Sequence, residues 1–124
     1  MILQLEHPQK PYDSSNVKVF VDDARSFMHK TDREYDMIVY GTLDSHATFS
    51  VTSAIRLDNY VYTQEGLREA KQLLSSKGVL VLLFSVPQDW LASRLLAMVK
   101  SVFGAENTRY FVTDNYLFNL VVMA

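Results

Sequence analysis

The stretch GVLVLLFS, residues 78–85, decides the fold because every position between its glycine and its final serine is apolar. A strand with apolar side chains on both faces is typical of a parallel sheet that is covered on both sides. We therefore place this strand at the centre of the predicted sheet. The apolar run is far shorter than the roughly 20 residues of a membrane-spanning helix.

Strands and helices alternate on the N-terminal side of this stretch. VKVFV (17–21) is β-branched or aromatic apart from one lysine, and it stops at two aspartates, which predicts a first strand. Residues 24–30 predict a helix that ends at Thr31-Asp32. DMIVY (36–40) predicts a second strand, and its consecutive apolar residues indicate burial on both faces.

Two further helices are predicted on either side of the central strand. The first begins at the N-cap Thr63 and ends at Lys77-Gly78. The second can begin at Pro87 and runs to Phe103-Gly104. Its amphipathic stripe consists of Trp90, Leu91, Leu95, Met98, Val99 and Val102.

The chain closes with a predicted strand pair, 108–112 and 116–123, joined by a polar turn. We interpret the aromatic residues in this pair as structural packing. The element order predicts an α/β, Rossmann-like domain with a mainly parallel sheet of about five strands and a C-terminal antiparallel hairpin. It is a single domain over 1–124, with an extended lead-in at 1–16 and a long loop at 41–62 of the active-site type.

Composition narrows the classes of partner. The formal net charge is -2, from 12 basic and 14 acidic side chains, so no basic face favours nucleic acid. The absence of cysteine excludes disulfides and thiolate metal ligands, and no histidine or carboxylate spacing predicts a metal site. The N-terminus lacks the pattern of a signal peptide.

Ligands of parallel sheets bind beyond the carboxyl ends of the strands. The two acidic residues after the first predicted strand are therefore candidates for ligand contact. The carboxylate of Asp23 can accept a hydrogen bond from an adenine amino group or a ribose hydroxyl, or it can cap the following helix. Asp22 can do the capping while Asp23 faces the ligand. The sequence leaves these roles open.

The loop after the second strand carries further candidates. Asp44 can bind an amine and His46 can transfer a proton, although a solvated loop explains both residues as well. Tyr60 and Tyr62 can close over a planar or apolar ligand, or simply pack in the core.

Three segments together carry a family resemblance: HPQKPYDSSNVKVFVDDARSFM (7–28), YDMIVYGTLDSH (35–46) and RLDNYVYTQEGLREAKQLLSSKGVLVLL (56–83). They resemble the later half of spermidine synthase-like proteins, which have the Rossmann-like fold of S-adenosylmethionine-dependent transferases. The resemblance is especially close to bacterial members that carry membrane-spanning segments elsewhere. It implies a soluble domain on the cytoplasmic side, in a parent protein that can be membrane-anchored.

The resemblance also implies site residues. Asp23 would bind the adenine amino group, and Ala24 would offer its backbone N–H to the ring of decarboxylated S-adenosylmethionine or S-adenosylmethionine. Asp44 matches the second of two aspartates that hold and deprotonate the attacking amine, while Gly41 stands where the first is expected. Asp44 or His46 would then serve as the base, and Asp44 and Tyr62 would contact the small-molecule amine.

In that family, a glycine-rich turn and a ribose-binding acidic residue come before anything that this sequence matches, and no G-x-G pattern occurs here. The resemblance therefore implies a domain that lacks the first two family strands, has little or no aminopropyltransferase activity and binds no cofactor tightly. A methyltransferase-type domain and a non-catalytic binding or regulatory module are the alternatives.

The two absent family strands would lie between the predicted strands at 17–21 and 36–40. We expect either that these two strands pair directly or that two chains associate as a homodimer through exposed strand edges.

Overall fold

The structure is a computed structural model that describes residues 10–41, 61–86, 89–114 and 119–124. Within these ranges the chain is an α/β protein with three α-helices and one four-stranded sheet, which confirms the predicted class. The helices are α1 (Ala24–Lys30), α2 (Gln64–Gln72) and α3 (Asp89–Phe103), and the strands are β1 (Tyr35–Tyr40), β2 (Leu74–Phe84), β3 (Arg109–Val112) and β4 (Leu120–Met123). A single 3₁₀ turn, Pro11–Asp13, lies within the expected lead-in.

The strand order is β1-β2-β4-β3, so β2 has a neighbour on each side and its predicted interior place is confirmed. Only β1 and β2 pair in parallel, whereas β4 pairs antiparallel with both β2 and β3. The prediction of a mainly parallel sheet of about five strands is therefore wrong for the described residues. The closing hairpin contributes two strands, and one of the expected parallel strands does not form.

The missing strand is the one predicted at 17–21. These residues have no regular secondary structure, and all are exposed, with Val21 at 97% of its full accessibility. Strand propensity takes effect only where a neighbouring strand supplies hydrogen-bond partners and a surface for the side chains. The expected direct pairing of this segment with β1 is likewise not observed, while the homodimer stays a prediction.

The core lies on one face of the sheet. Register places Tyr40 beside Leu82 and Leu82 beside Val122, and all three are buried. Buried side chains of α2 and α3 complete this core: Leu67, Ala70, Leu95, Val99 and Phe103.

The other sheet face is open at its β1 end. Met37 is 60% exposed and Val39 is 51% exposed, so the prediction that this strand is buried on both faces is wrong. The apolar residues of β1 are consecutive, but the described helices pack on one side of the sheet only.

Helix α2 ends at Gln72, several residues before the predicted stop at Lys77-Gly78. The backbone N–H of Tyr35 donates to the carbonyl of Leu73 over 2.8 Å, which draws the chain into the sheet at that point. The register then shifts between the Tyr35↔Leu74 pair and the next pair. Gly78 lies at this irregularity, where a Cβ atom would come within 2.8 Å of the Tyr35 carbonyl oxygen.

Helix α3 confirms the predicted end at Phe103, followed by Gly104 with a positive φ of 95°. Trp90 is an exception to the amphipathic stripe because its side chain is 64% exposed. One residue is about 100° of rotation in an α-helix, so Trp90 is turned well away from the stripe member Leu91. Among the described helices, none has the length and apolar character to cross a bilayer.

Candidate functional site

A groove of about 450 Å³ lies between α1 and β1 and extends to Tyr40 at the carboxyl end of that strand. Its walls are mostly apolar: Ala24, Phe27 and Met28 on one side, and Met37, Ile38 and Val39 on the other. The volume falls in the range of about 300–1,000 Å³ that is typical of small-molecule sites.

Asp22 and Asp23, in the turn before α1, have different roles. The Oδ1 atom of Asp23 accepts a hydrogen bond from the N–H of Ser26 at 2.9 Å, so Asp23 is the N-cap of the helix. Asp22 lines the groove instead. Capping therefore belongs to Asp23, and the binding of adenine by this residue stays a prediction.

Asp22 is held in place at the rim of the groove. Its carboxylate accepts from Lys30 Nζ and from the backbone N–H of Asp23, each at 2.9 Å. The hydrogen bond from Lys30, followed by the one from Asp23, lowers the pKa of Asp22 below its ordinary value. Asp22 thus presents a negative charge beside an apolar groove.

Ala24 is the first residue of α1 and lines the groove directly beneath this turn. Its N–H donates to no acceptor among the described residues, because the first N–H groups of a helix lack intrahelical partners. The placement is compatible with the predicted donation to a ring nitrogen.

A cluster of charged side chains behind the groove joins α1 to α2. Arg25 donates from Nε to Glu69 Oε2 at 2.9 Å and from Nη2 to Glu69 Oε1, which makes the pair bidentate. His29 Nε2 lies 3.5 Å from the same carboxylate. The hydrogen bond from Arg25 is the main cause that lowers the pKa of Glu69. No sequence pattern revealed this cluster, since its members lie on separate helices and far apart along the chain.

Three aromatic rings pack at the end of the groove. The ring of Tyr62 lies edge-on to Phe84 at 4.9 Å and to Tyr40 at 6.1 Å. The Tyr40 hydroxyl donates to Met28 Sδ at 3.6 Å. Burial, reinforced by the negative charge of Glu69, raises the pKa of Tyr40 to about 12. Tyr62 therefore has the core-packing role, and its contact with a substrate stays a prediction.

Several predicted site residues lie outside the described ranges: Asp44, His46 and Tyr60. Their proposed roles stay predictions. Gly41 directly follows β1 and is exposed, and a Cβ atom at this position would meet no atom of the described residues within 4 Å. Across the part of the chain that the structure describes, no three His, Asp or Glu side chains gather into a potential metal site.

Neither the models of known protein families nor the curated proteins include a match to this chain. The resemblance to spermidine synthase-like proteins therefore depends on the residues at 7–28, 35–46 and 56–83 alone.

Proposed function

We propose that this chain is the later part of a spermidine synthase-like, S-adenosylmethionine-type transferase domain, and that by itself it binds an adenine ring weakly without catalysing transfer. One observation carries the proposal: the turn at 22–24 borders an apolar groove that reaches the carboxyl end of the parallel strand β1. Ligands of parallel α/β sheets bind beyond such strand ends.

The groove offers complementary chemistry to an adenine ring. Phe27 and Ile38 provide apolar surfaces for the faces of a planar ligand. The N–H of Ala24 can donate to a ring nitrogen, and an acidic side chain of the turn can accept from the exocyclic amino group. Asp23 uses Oδ1 for its cap, which leaves Oδ2 for this second role.

Aminopropyl transfer would require more than this groove. The attacking amine nitrogen forms a bond to the carbon beside the sulfonium while the carbon–sulfur bond breaks, and the amine proton passes to a base. Gly41 provides no carboxylate at the expected position. In a full-length parent we propose Asp44 or His46 as the base, whereas the chain alone lacks the glycine-rich turn and has little or no activity.

Calorimetry tests the binding. The chain is titrated with decarboxylated S-adenosylmethionine, S-adenosylmethionine, methylthioadenosine and a polyamine. We expect weak binding of the three adenine compounds, lowered by Asp23→Asn, and no effect of Asp89→Asn, which changes a carboxylate of α3. Absence of binding by every adenine compound would overturn the proposal.

A second candidate is a non-catalytic binding or regulatory module. It is favoured by Gly41 and by the use of Asp23 as a helix cap. The same titrations on a parent protein that includes the upstream segment separate the candidates. Binding of decarboxylated S-adenosylmethionine together with a diamine supports aminopropyl transfer, binding of S-adenosylmethionine alone supports a methyltransferase, and no binding supports the module.

A further inference from the structure

Exposed apolar residues in the groove wall and in residues 17–21 form a surface that we call the edge surface. It consists of Val17, Val19, Phe20, Val21, Met37 and Val39, all of them large hydrophobic residues that are at least two-fifths exposed. Contiguous exposed apolar patches in soluble domains mark interaction sites more often than isolated apolar residues do. The edge surface therefore indicates a place where the chain meets a partner.

The outer edge of β1 forms half of this surface. The backbone N–H of Tyr35 donates to the carbonyl of Leu73, just before β2. Because backbone groups alternate in direction along a strand, every second residue of β1 points its N–H and C=O groups away from β2. Within the described residues, no strand pairs with that outer edge. The strand contains neither lysine nor proline, which are residues that commonly prevent edge pairing.

The 17–21 segment forms the other half. Its sequence, VKVFV, has the composition of a strand, yet it has no ladder partner. The Phe20 ring contacts the Phe27 ring of α1 at 4.8 Å, and Lys18 Nζ lies 4.8 Å from the same Phe20 ring. Thus the described residues include a strand-like segment and a strand edge without a partner among them, and the two do not pair with each other.

Contacts on the N-terminal side hold residues 17–21 beside α1 and away from the ladder of β1. Residues 22–34 join the two halves, and seven of these residues form α1. The Phe20 ring packs on Phe27 of that helix. Asp22 is also tied back to Lys30 of the same helix.

We propose that two copies of the chain exchange these segments, so that residues 17–21 of each copy add as a strand to the outer edge of β1 in the other. A second copy is the fitting occupant because one chain carries both complementary halves, and a reciprocal exchange closes with two-fold symmetry. The exchange forms two symmetry-related contacts, so it buries twice the surface of a single strand addition. This inference does not depend on the proposed transferase function.

The oligomeric state tests the exchange. Sedimentation velocity across a wide range of concentrations should show a monomer–dimer equilibrium. Val19→Lys and Val39→Lys should each raise the dissociation constant by about tenfold or more, since each removes an apolar side chain from the contact and places a lysine where strands would pair, which opposes edge pairing. The matched control is Val112→Lys, at a valine that is 76% exposed on β3 at the opposite edge of the sheet, and it should leave the constant unchanged.

The absence of cysteine makes disulfide trapping specific. A chain with Val19→Cys, mixed with a tagged chain with Val39→Cys, should form a disulfide-linked heterodimer under mild oxidation. A chain with Val112→Cys in place of Val39→Cys should not. A strict monomer at every concentration, a dimer unaffected by both lysine variants, or equal trapping by both cysteine partners would overturn the exchange.

Discussion

The guanidinium of Arg25 holds both carboxylate oxygens of Glu69, forty-four residues further along the chain. The two side chains are 12% and 19% exposed, so the pair is largely removed from water. It joins α1 to α2 and thereby fixes the wall of the groove that Ala24 and Phe27 provide. Charge-assisted bidentate pairs of this kind are stronger than neutral hydrogen bonds.

Loss of Arg25 should destabilise the fold. Arg25→Ala leaves the largely buried Glu69 carboxylate without its bidentate partner, and we expect a cost of about 1–3 kcal/mol in the free energy of unfolding. Arg68→Ala is the control, because Arg68 contacts Glu65 at 3.7 Å on an exposed helix surface and should change stability by less than about 1 kcal/mol. Urea unfolding measures both values, and equal losses would contradict the assigned role of the pair.

Stability should also fall in acid because of Glu69. Its folded pKa is lowered below the ordinary value of 4.5, first by the hydrogen bond from Arg25. A carboxyl group with a lowered folded pKa contributes stability above its unfolded pKa, and this contribution is lost as pH falls through the folded pKa. Urea unfolding from pH 7 to pH 3 should show a shallower acid loss for Glu69→Gln than for the unchanged protein, and parallel profiles would refute this.

The Tyr40 hydroxyl should ionise at a higher pH than an exposed tyrosine, and its ionisation should lower the stability of the fold. Its folded pKa is raised to about 12 by burial and by the charge of Glu69. A raised folded pKa contributes stability that is fully present below the unfolded value near 10 and is lost as pH rises toward 12. Absorbance titration should detect a tyrosine that ionises at high pH and that Tyr40→Phe removes, whereas Tyr12→Phe, at an exposed ring, should leave this signal in place.

Two glycines should respond differently to the same substitution. A Cβ atom at Gly78 would lie 2.8 Å from the Tyr35 carbonyl oxygen and 3.0 Å from Leu74 Cβ, so Gly78→Ala should cost about 1–3 kcal/mol. Gly41→Ala adds a methyl group that meets no atom of the described residues within 4 Å, so it should stay within about 0.5 kcal/mol. Thermal unfolding compares the two variants, and a neutral Gly78→Ala would show that β2 can relax at this point.

Asp23 allows capping to be separated from ligand contact. Asp23→Ala should cost about 1 kcal/mol through the lost bond to Ser26, whereas Asp23→Asn retains a capping oxygen and should cost little. Any fall in methylthioadenosine binding that Asp23→Asn causes at unchanged stability would then reflect contact with the ligand. Chemical denaturation and calorimetry on the same samples provide the comparison, and unchanged binding by Asp23→Asn would restrict this residue to the cap.

The sequence by itself determined the features that depend on local patterns. The bounds of α1 and the end of α3 follow from capping residues, helical spacing and a terminal glycine, and the structure agrees with them. The interior place of β2 follows from its unbroken apolar run, because only a strand between two others could bury it. These signals lie within a few residues of the element that they specify.

Only the tertiary structure decided which strand-like segments find partners. Residues 17–21 have the composition of a strand but form none, because a strand requires hydrogen-bond partners that the residues themselves do not contain. The division of roles between Asp22 and Asp23 depends on where Lys30 and Ser26 lie after α1 has folded. The Arg25–Glu69 pair likewise depends on the packing of two separate helices, since distant residues meet only when the chain has folded.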